Sequence, residues 1–291
     1  MGEPVRALNV ITLEGPVRMR IIDPHLHVWG DGAEFPFAEG RTPTARADTN
    51  FLIECMDAAG VAGALIIQPI VYRFDHRYVS GALRDEPGRF KGMCLVDPQH
   101  ADPVGELARW RDEGYIAVRV NPGLFPDGQG LGSDLGHQLY AAAGDLGMRV
   151  GFLVSPSHFD AIDALCQASP ETVAVIDHFG HCRSSAGENA EFEDLVALSR
   201  HPNLHVKLSQ FPRASRVDWP YADLHPWISR LLDAYGAERL MWATDFPFIV
   251  EQCGYTEGLT LFTEHAPGIE HETMQQLLAG TAEAVFGPWS G

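Results

Sequence analysis

Two histidines separated by a single residue lie near the start of the chain, directly after two isoleucines. His25 and His27 follow Ile21 and Ile22, and this apolar pair predicts a buried β-strand. Residues i and i+2 of a strand project from the same face, roughly 7 Å apart along the chain, so the two imidazoles are expected side by side. Burying both is costly unless they are hydrogen-bonded, bound to a metal or used in catalysis. The pair therefore indicates either satisfied core histidines or a site for metal binding or catalysis.

Two further titratable residues end apolar runs later in the chain. His178 ends one such run, and Asp245 lies between Trp242 and Phe246 at the end of another. A lone carboxylate among aromatic side chains is costly unless it is paired, so Asp245 in particular indicates a functional role. The order of an early His-x-His pair, a central histidine and a late aspartate is more specific than any one of these residues.

Polar residues at the ends of other apolar runs are weaker candidates, because each has an ordinary explanation. Gln68 precedes a proline and suits a turn, and Arg119 within an apolar run suits an interior ion pair. Lys207 suits an exposed position at a strand end. The arginines in the loops after later strands suit the surface individually; they are Arg183, Arg213 and Arg216.

The elements that must position these residues are short apolar runs that alternate with amphipathic helical segments. After the first strand at Ile21 and Ile22, strands are predicted at 64–68, 92–96, 116–120, 149–154, 173–178, 204–209 and 240–245. Eight strands alternating with helices over 291 residues predict an α/β fold, a single-domain (β/α)8 TIM barrel with loop insertions at the strand ends. An open doubly wound sheet is the alternative, although it usually has fewer strands.

The barrel is predicted over residues 21–291, and residues 1–20 are expected to form an N-terminal arm or an extra strand. Catalytic residues of such barrels lie at the carboxyl ends of the strands. The polar residues at the predicted strand ends should therefore meet at one face of the barrel.

Charge and composition exclude several classes of function. The net charge is −18, from 21 basic and 39 acidic residues, which disfavours a nucleic-acid partner or an anionic membrane surface. A few local arginines would still allow a small anionic substrate. No apolar run is long enough to span a membrane. Five cysteines without a CxxC pair, and an N-terminus without a signal-peptide pattern, favour a reduced, cytoplasmic protein.

Five segments of the chain form a set of motifs that is typical of one family. They are residues 23–29 (DPHLHVW), 175–180 (VIDHFG), 206–209 (VKLS), 241–247 (MWATDFP) and 278–287 (LAGTAEAVFG). Together they resemble the motifs of the amidohydrolase superfamily, in particular the branch that contains 2-pyrone-4,6-dicarboxylate lactonase and sugar-lactone lactonases. The resemblance extends from about residue 21 to residue 287. The family's closing helix usually has asparagine where this chain has Thr281.

The resemblance implies a hydrolase that attacks the carbonyl of a lactone or cyclic ester of a small carboxylic acid. By position, Asp245 matches the family's aspartate that takes a proton from the attacking water, and Arg119 resembles the cation that receives a substrate carboxylate. The histidines that would polarise the carbonyl or bind a metal are His25, His27 and His178. Further substrate contacts are expected from Gln68, Tyr72, Trp29, Arg213 and Arg216.

The resemblance also bears on the metal content. In the binuclear relatives a lysine or glutamate on the fourth strand bridges two metals and the fifth strand ends in histidine. This chain has Arg119 and the sequence Leu153-Val154-Ser155 at these places, so two bridged metals are not expected. Mixed histidine and aspartate sets suit zinc and similar ions. One divalent metal, with zinc the first choice, is expected on His25, His27, His178 and Asp245, or no metal at all.

Two other functions fit the same residues. A metal-dependent decarboxylase, or a dehydrating cyclase, would act on an aromatic or small acid in the same site. A catalytically silent barrel would bind a small acid without turnover. The expected partner in each case is a small-molecule carboxylate or lactone, and a homo-oligomer is compatible with the sequence.

Overall fold

The structure is a computed structural model that describes residues 19–125, 130–185, 189–265 and 268–290. Most of the predicted N-terminal segment, residues 1–18, lies outside the described residues. The described chain forms one sheet of eight parallel strands in sequential order. The strands are β1 (Ile22–Leu26), β2 (Gly63–Ile67), β3 (Phe90–Leu95), β4 (Ala117–Val120), β5 (Arg149–Phe152), β6 (Ala174–Ile176), β7 (Leu204–Leu208) and β8 (Leu240–Trp242).

The sheet closes into a barrel because the chain after β8 is hydrogen-bonded to β1 and the residue that follows it. The backbone N–H of Asp245 donates to the carbonyl of His25 at 2.9 Å, and the N–H of His27 donates to the carbonyl of Phe246 at 2.8 Å. These bonds set the early histidines and the late aspartate beside each other. The predicted single-domain (β/α)8 TIM barrel is confirmed.

Helices follow the strands and cover the outer face of the sheet. None of the described helices is long and apolar enough to cross a membrane. The α-helices are α1 (Thr49–Ala59), α2 (Arg77–Asp85), α3 (Pro103–Asp112), α4 (Asp134–Asp145), α5 (Phe159–Ala168), α6 (Ala190–Ala197), α7 (Phe211–Ala214), α8 (His225–Tyr235), α9 (Phe248–Gln252), α10 (Tyr255–Thr260), α11 (His271–Gln275) and α12 (Thr281–Phe286).

Several strands end earlier than the sequence predicts, and for two of them, β6 and β8, the difference concerns the site. β6 ends at Ile176 rather than His178, and β8 ends at Trp242 rather than Asp245. The backbone φ is 56° at His178 and 60° at Asp245, in the left-handed region where an extended strand cannot continue. The apolar runs extend further than the strands because the turn residues after them are also buried.

The interior of the barrel is apolar at its amino end and polar at its carboxyl end. Inward-facing strand residues such as Ile22 and Met241 pack with Phe286 and Trp289 of the C-terminal segment. Lys207 of β7 faces the same interior, where its Nζ lies 5.7 Å from the centre of the Phe286 ring. The apolar plug excludes water from below, so the polar side chains above it have access to solvent only through the carboxyl-end face.

A buried histidine at the amino end of α2 should couple the stability of the fold to pH. His76 is 2% exposed, and its ring lies 3.8 Å from the ring of Trp110. Its Nδ1 donates to the carbonyl of Phe74 at 2.9 Å, and its Nε2 accepts from the N–H of Leu95 at 3.1 Å. This pairing requires the neutral ring, and burial lowers the pKa of His76 from 6.5 to about 4.

Replacing His76 with glutamine, which keeps a donor and an acceptor, should remove this pH dependence. Below pH 6.5 the unfolded wild-type chain binds a proton at residue 76 that the folded chain does not, so its stability falls. We expect the wild-type advantage in free energy of unfolding over His76→Gln to shrink by about 2–3 kcal/mol between pH 7 and pH 4. Urea unfolding of both proteins at several pH values measures this, and a pH-independent difference would contradict it.

Candidate active site

Four predicted site residues meet at the carboxyl end of the barrel. His25 and His27 come from the end of β1, His178 begins the turn after β6, and Asp245 follows β8. Asp245 Oδ1 lies 3.4 Å from His25 Nε2, 3.5 Å from His27 Nε2 and 3.9 Å from His178 Nε2. All four side chains are buried. One carboxylate oxygen therefore faces three imidazole nitrogens.

The backbone is irregular at several of the residues that carry these side chains. The register between β1 and β2 shifts between Asp23 and Leu26, which is the segment that holds His25. His178, Gln210 and Asp245 all have left-handed backbones, at a cost of roughly 1–2 kcal/mol for each residue with a side chain. Packing and hydrogen bonds around the site must supply this energy, and such strain is concentrated at functional sites.

Each histidine has its Nδ1 engaged away from the cluster. His27 Nδ1 donates to the carbonyl of Ile67 at 2.9 Å, His178 Nδ1 lies 2.8 Å from Ser209 Oγ, and His25 Nδ1 lies 3.1 Å from Asp177 Oδ1. A backbone carbonyl only accepts, so a neutral His27 carries its proton on Nδ1 and a lone pair on Nε2. This arrangement is typical of imidazoles that present Nε2 to a metal or a reacting group.

Burial controls the charge of the cluster. It lowers the pKa of His25 to about 3 and holds the pKa values of His27 and His178 well below their usual range, so the three rings are neutral at pH 7. Burial also raises the pKa of Asp245 to about 8, although a hydrogen bond from the Gln210 amide to Asp245 Oδ2 and the charge of Arg119 lower it. A nearby cation would bring this carboxyl back to its ionised form.

Three of the four residues can act together as metal ligands. His25, His178 and Asp245 each offer one ligand atom, and these atoms lie within 4.8 Å of one another. His27 is close to Asp245 but lies outside this mutual group. His25 Nε2 and Asp245 Oδ1 are buried and form no hydrogen bond with any described group, although they lie 3.4 Å apart. Two buried polar atoms without a hydrogen-bond partner, with neutral imidazoles beside them, fit a divalent cation.

A cavity of about 290 Å³ opens above the cluster. Its wall combines aromatic and aliphatic side chains with three arginines, and Asp245 is the sole carboxylate among the described lining residues. The lining residues are His27, Trp29, Arg41, Pro69, Ile70, Val71, Leu95, Arg119, Asn121, Leu153, His178, His181, Gln210, Arg213, Asp245 and Phe248. The cavity is therefore locally cationic in a chain of net charge −18.

The predicted substrate contacts divide into two groups. Trp29, Arg119 and Arg213 line the cavity, whereas the remaining three, Gln68, Tyr72 and Arg216, lie outside its described lining. The Gln68 amide donates to the carbonyls of Arg73 and Asp75 and so holds the turn after β2. The Tyr72 hydroxyl accepts from the N–H of Gly30, and the Arg216 backbone N–H donates to Asp223.

Several residues at the site were not assigned a role from the sequence. Gln210 holds Asp245, and Arg41 reaches the cavity from the long loop after β1. The interpretation of Lys207 as an exposed strand-end residue is wrong, because its side chain is fully buried and its Nζ lies 3.1 Å from Asp177 Oδ1. The alternating inward and outward pattern of β7 is the signal that could have placed Lys207 inside the barrel.

Comparison with known proteins places the site in a recognised context. The family model described as Amidohydrolase matches residues 22–287. The 4-sulfomuconolactone hydrolase of Rhizobium radiobacter is 30% identical over 233 residues, which cover 77% of this chain and 75% of the relative. The 2-pyrone-4,6-dicarboxylate hydrolase of Comamonas testosteroni is 29% identical, over 78% of this chain and 76% of the relative. The crystal structure of a protein from Pseudomonas putida, named as a putative 2-pyrone-4,6-dicarboxylic acid hydrolase, superposes with a TM-score of 0.79. It is 27% identical, and the match covers 93% of this chain and 98% of that one.

Proposed function

The chain belongs to the amidohydrolase family, and from that premise we propose that it hydrolyses a lactone that carries at least one acidic group. The observation that carries the proposal is the cationic cavity directly above the cluster of three histidines and Asp245. Both curated relatives described above are named as hydrolases of acidic lactones or pyrones. A neutral substrate would bring no negative charge to the three arginines that line the cavity.

In this reaction Asp245 is the general base. Gln210 binds Asp245 Oδ2, which leaves Oδ1 directed at the cavity, where it removes a proton from a water molecule. The hydroxide oxygen adds to the lactone carbonyl carbon, the bond from that carbon to the ring oxygen breaks, and Asp245 returns the proton to the departing oxygen. The product is the ring-opened acid. Arg119 and Arg213 hold the acidic substituent and fix the ring over Asp245.

The same cluster is suited to a single divalent ion, with zinc as the first choice. His25, His178 and Asp245 would hold it, with His27 beside them. A bound ion would polarise the carbonyl and lower the pKa of a water molecule. Neutral His27 turns a lone pair toward the cluster, so this ring cannot itself donate a hydrogen bond to an oxyanion. The tautomer therefore favours the metal-loaded form of the site over the metal-free form.

Zinc binding can be measured without any substrate. After dialysis against a chelator and titration with zinc, the wild type should bind one ion per chain. His178→Ala should bind zinc at least tenfold more weakly, because a loss of about 10-fold or more already follows when a residue that only hydrogen-bonds to a metal ligand is replaced. Calorimetry with elemental analysis provides both quantities. Asp163→Asn is the control, because Asp163 pairs with Arg200 and His201 away from the cavity. Equal zinc affinity of wild type and His178→Ala would contradict the assignment.

The proposed activity is tested with a matched pair of substrates, 2-pyrone-4,6-dicarboxylate and its neutral dimethyl ester. Ring opening of the diacid is expected to exceed that of the diester, and Arg213→Gln should raise KM for the diacid by about 10- to 100-fold, since a charge-assisted hydrogen bond is lost. The diester should be little affected. Loss of the pyrone absorbance reports ring opening. Release of carbon dioxide without ring opening, or binding of the diacid without turnover, would refute the hydrolase assignment in favour of a decarboxylase or a silent binding barrel.

A further inference from the structure

A buried carboxylate lies beneath the floor of the cavity and contacts several site residues at once. Asp177 directly follows β6, precedes His178 and has no exposed surface. Its Oδ1 lies 3.1 Å from His25 Nδ1 and 3.1 Å from Lys207 Nζ. Its Oδ2 accepts from Arg119 Nε at 3.1 Å. Asp177 does not line the cavity, so it reaches the substrate only through these neighbours.

We propose that Asp177 is a positioning residue that orients both the imidazole of His25 and the guanidinium of Arg119. This inference rests on the proposed function, because it assigns to one carboxylate the alignment of the reacting cluster and of the substrate's acidic group. The two carboxylate oxygens divide these tasks, since Oδ1 serves His25 and Oδ2 serves Arg119.

For His25, the neighbours of Nδ1 allow two tautomers. Lys207 Nζ lies 3.2 Å from His25 Nδ1, so the lysine could donate to an unprotonated Nδ1. That tautomer would place a proton on Nε2, where Asp245 Oδ1 would be its partner. Asp177 instead accepts a proton held on Nδ1, which leaves a lone pair on Nε2. The absence of a hydrogen bond from His25 Nε2 to any described group agrees with the second arrangement.

For Arg119, Asp177 uses only one of the donors of the guanidinium. The Nε–H is bound to Oδ2, which leaves the terminal Nη groups for the acidic group of a substrate. Arg119 is 7% exposed and lines the cavity, so its head group has little freedom once Nε is held. A planar, pre-oriented fork loses less conformational entropy when it binds a carboxylate in bidentate fashion.

The charges of the buried group are consistent with this role. Burial alone would raise the pKa of Asp177, but His25, Lys207 and Arg119 together hold it well below its usual range. One carboxylate then faces two cations, Lys207 and Arg119. The surplus positive charge lies on the side that opens to the cavity, where an acidic substrate would balance it.

The tautomer of His25 can be measured directly in the wild type. With ¹⁵N-labelled histidine, long-range ¹H–¹⁵N spectra distinguish a protonated Nδ1 from a protonated Nε2, and the signals that disappear in His25→Asn assign the residue among the 13 histidines. We expect His25 to carry its proton on Nδ1. A proton on Nε2 would overturn the proposal, whether or not the protein hydrolyses lactones and whether or not any Asp177 variant folds.

Asp177→Asn provides the second arm of the test. In the proposed tautomer His25 donates to residue 177, as Lys207 and Arg119 do. The NH₂ group of an asparagine would face a donor on whichever side it lies, so at least one of these contacts is lost. We expect KM for the pyrone diacid to rise by about 10- to 100-fold, with a smaller rise for the dimethyl ester, and kcat to fall for both. Asp163→Asn should match the wild type. Equal changes in KM for the two substrates would overturn the role toward Arg119, whereas failure of the wild type to open either pyrone would refute the proposed function and leave the tautomer measurement to decide this inference.

Discussion

Replacing Asp245 with asparagine is expected to lower kcat by about 10²–10⁴-fold, the usual contribution of a general base, without loss of the fold. The amide oxygen can still accept from Gln210, as Asp245 Oδ2 does. The amide NH₂ then faces the three Nε2 atoms that surround Oδ1, and those of neutral imidazoles with protonated Nδ1 are acceptors. Asparagine therefore fits the hydrogen-bond pattern, but it can no longer take a proton and it offers a cation a neutral ligand in place of a carboxylate.

The stability of this variant separates a chemical role from a structural one. Burial raises the pKa of Asp245 from 3.8 to about 8, so at pH 7 the unfolded chain gains free energy from ionising this carboxyl and the folded chain does not. Removing the ionisable group should leave the variant at least as stable as the wild type at pH 7 in the absence of metal. Steady-state ring opening at saturating zinc tests the effect on kcat, and urea unfolding of the two metal-free proteins tests the effect on stability. A variant with wild-type kcat would refute Asp245 as the base.

The strand-end pattern of the sequence was sufficient to predict the barrel and the four residues that meet in it. This worked because eight parallel strands bring their carboxyl ends to one face, so residues more than 200 positions apart, such as His25 and Asp245, become neighbours. The strand boundaries were less accurate at β6 and β8. There the chain turns into the left-handed region at residues that are themselves buried, and hydrophobicity does not report backbone handedness.

The loop contacts could not be predicted in the same way. Gln210 reaches Asp245 only because its own backbone is left-handed after β7, and no residue type in that loop signals this. Tyr72 follows the end of β2, where a substrate contact was predicted. Its ring instead stacks on Phe37 of the loop after β1, and its hydroxyl accepts from the N–H of Gly30. Such positions depend on contacts between loops that follow different strands, which a single sequence does not encode as a local pattern.

Lys207→Met is expected to lower the free energy of unfolding by about 3–5 kcal/mol, the typical loss when one partner of a buried ion pair is removed. Lys207 is fully buried, and its Nζ pairs with Asp177 Oδ1. Methionine has a similar length and can pack on the Phe286 ring that the lysine now contacts, so little cavity is created. The loss of stability therefore comes mainly from Asp177. Its carboxylate keeps Arg119 and His25, but its Oδ1 loses the cation that compensates its charge.

Arg230→Met provides the matched control, because it also removes one cation from one ion pair. The Arg230–Glu193 pair spans 3.0 Å, but its side chains are 48% and 55% exposed, so the loss is expected to stay below about 1 kcal/mol. Urea unfolding of both variants and the wild type gives the comparison directly. If the two substitutions cost the same, Lys207 would not be compensating a desolvated charge. A large difference would mean that the buried charges under the cavity are balanced by one another, with Lys207 compensating the desolvated carboxylate of Asp177.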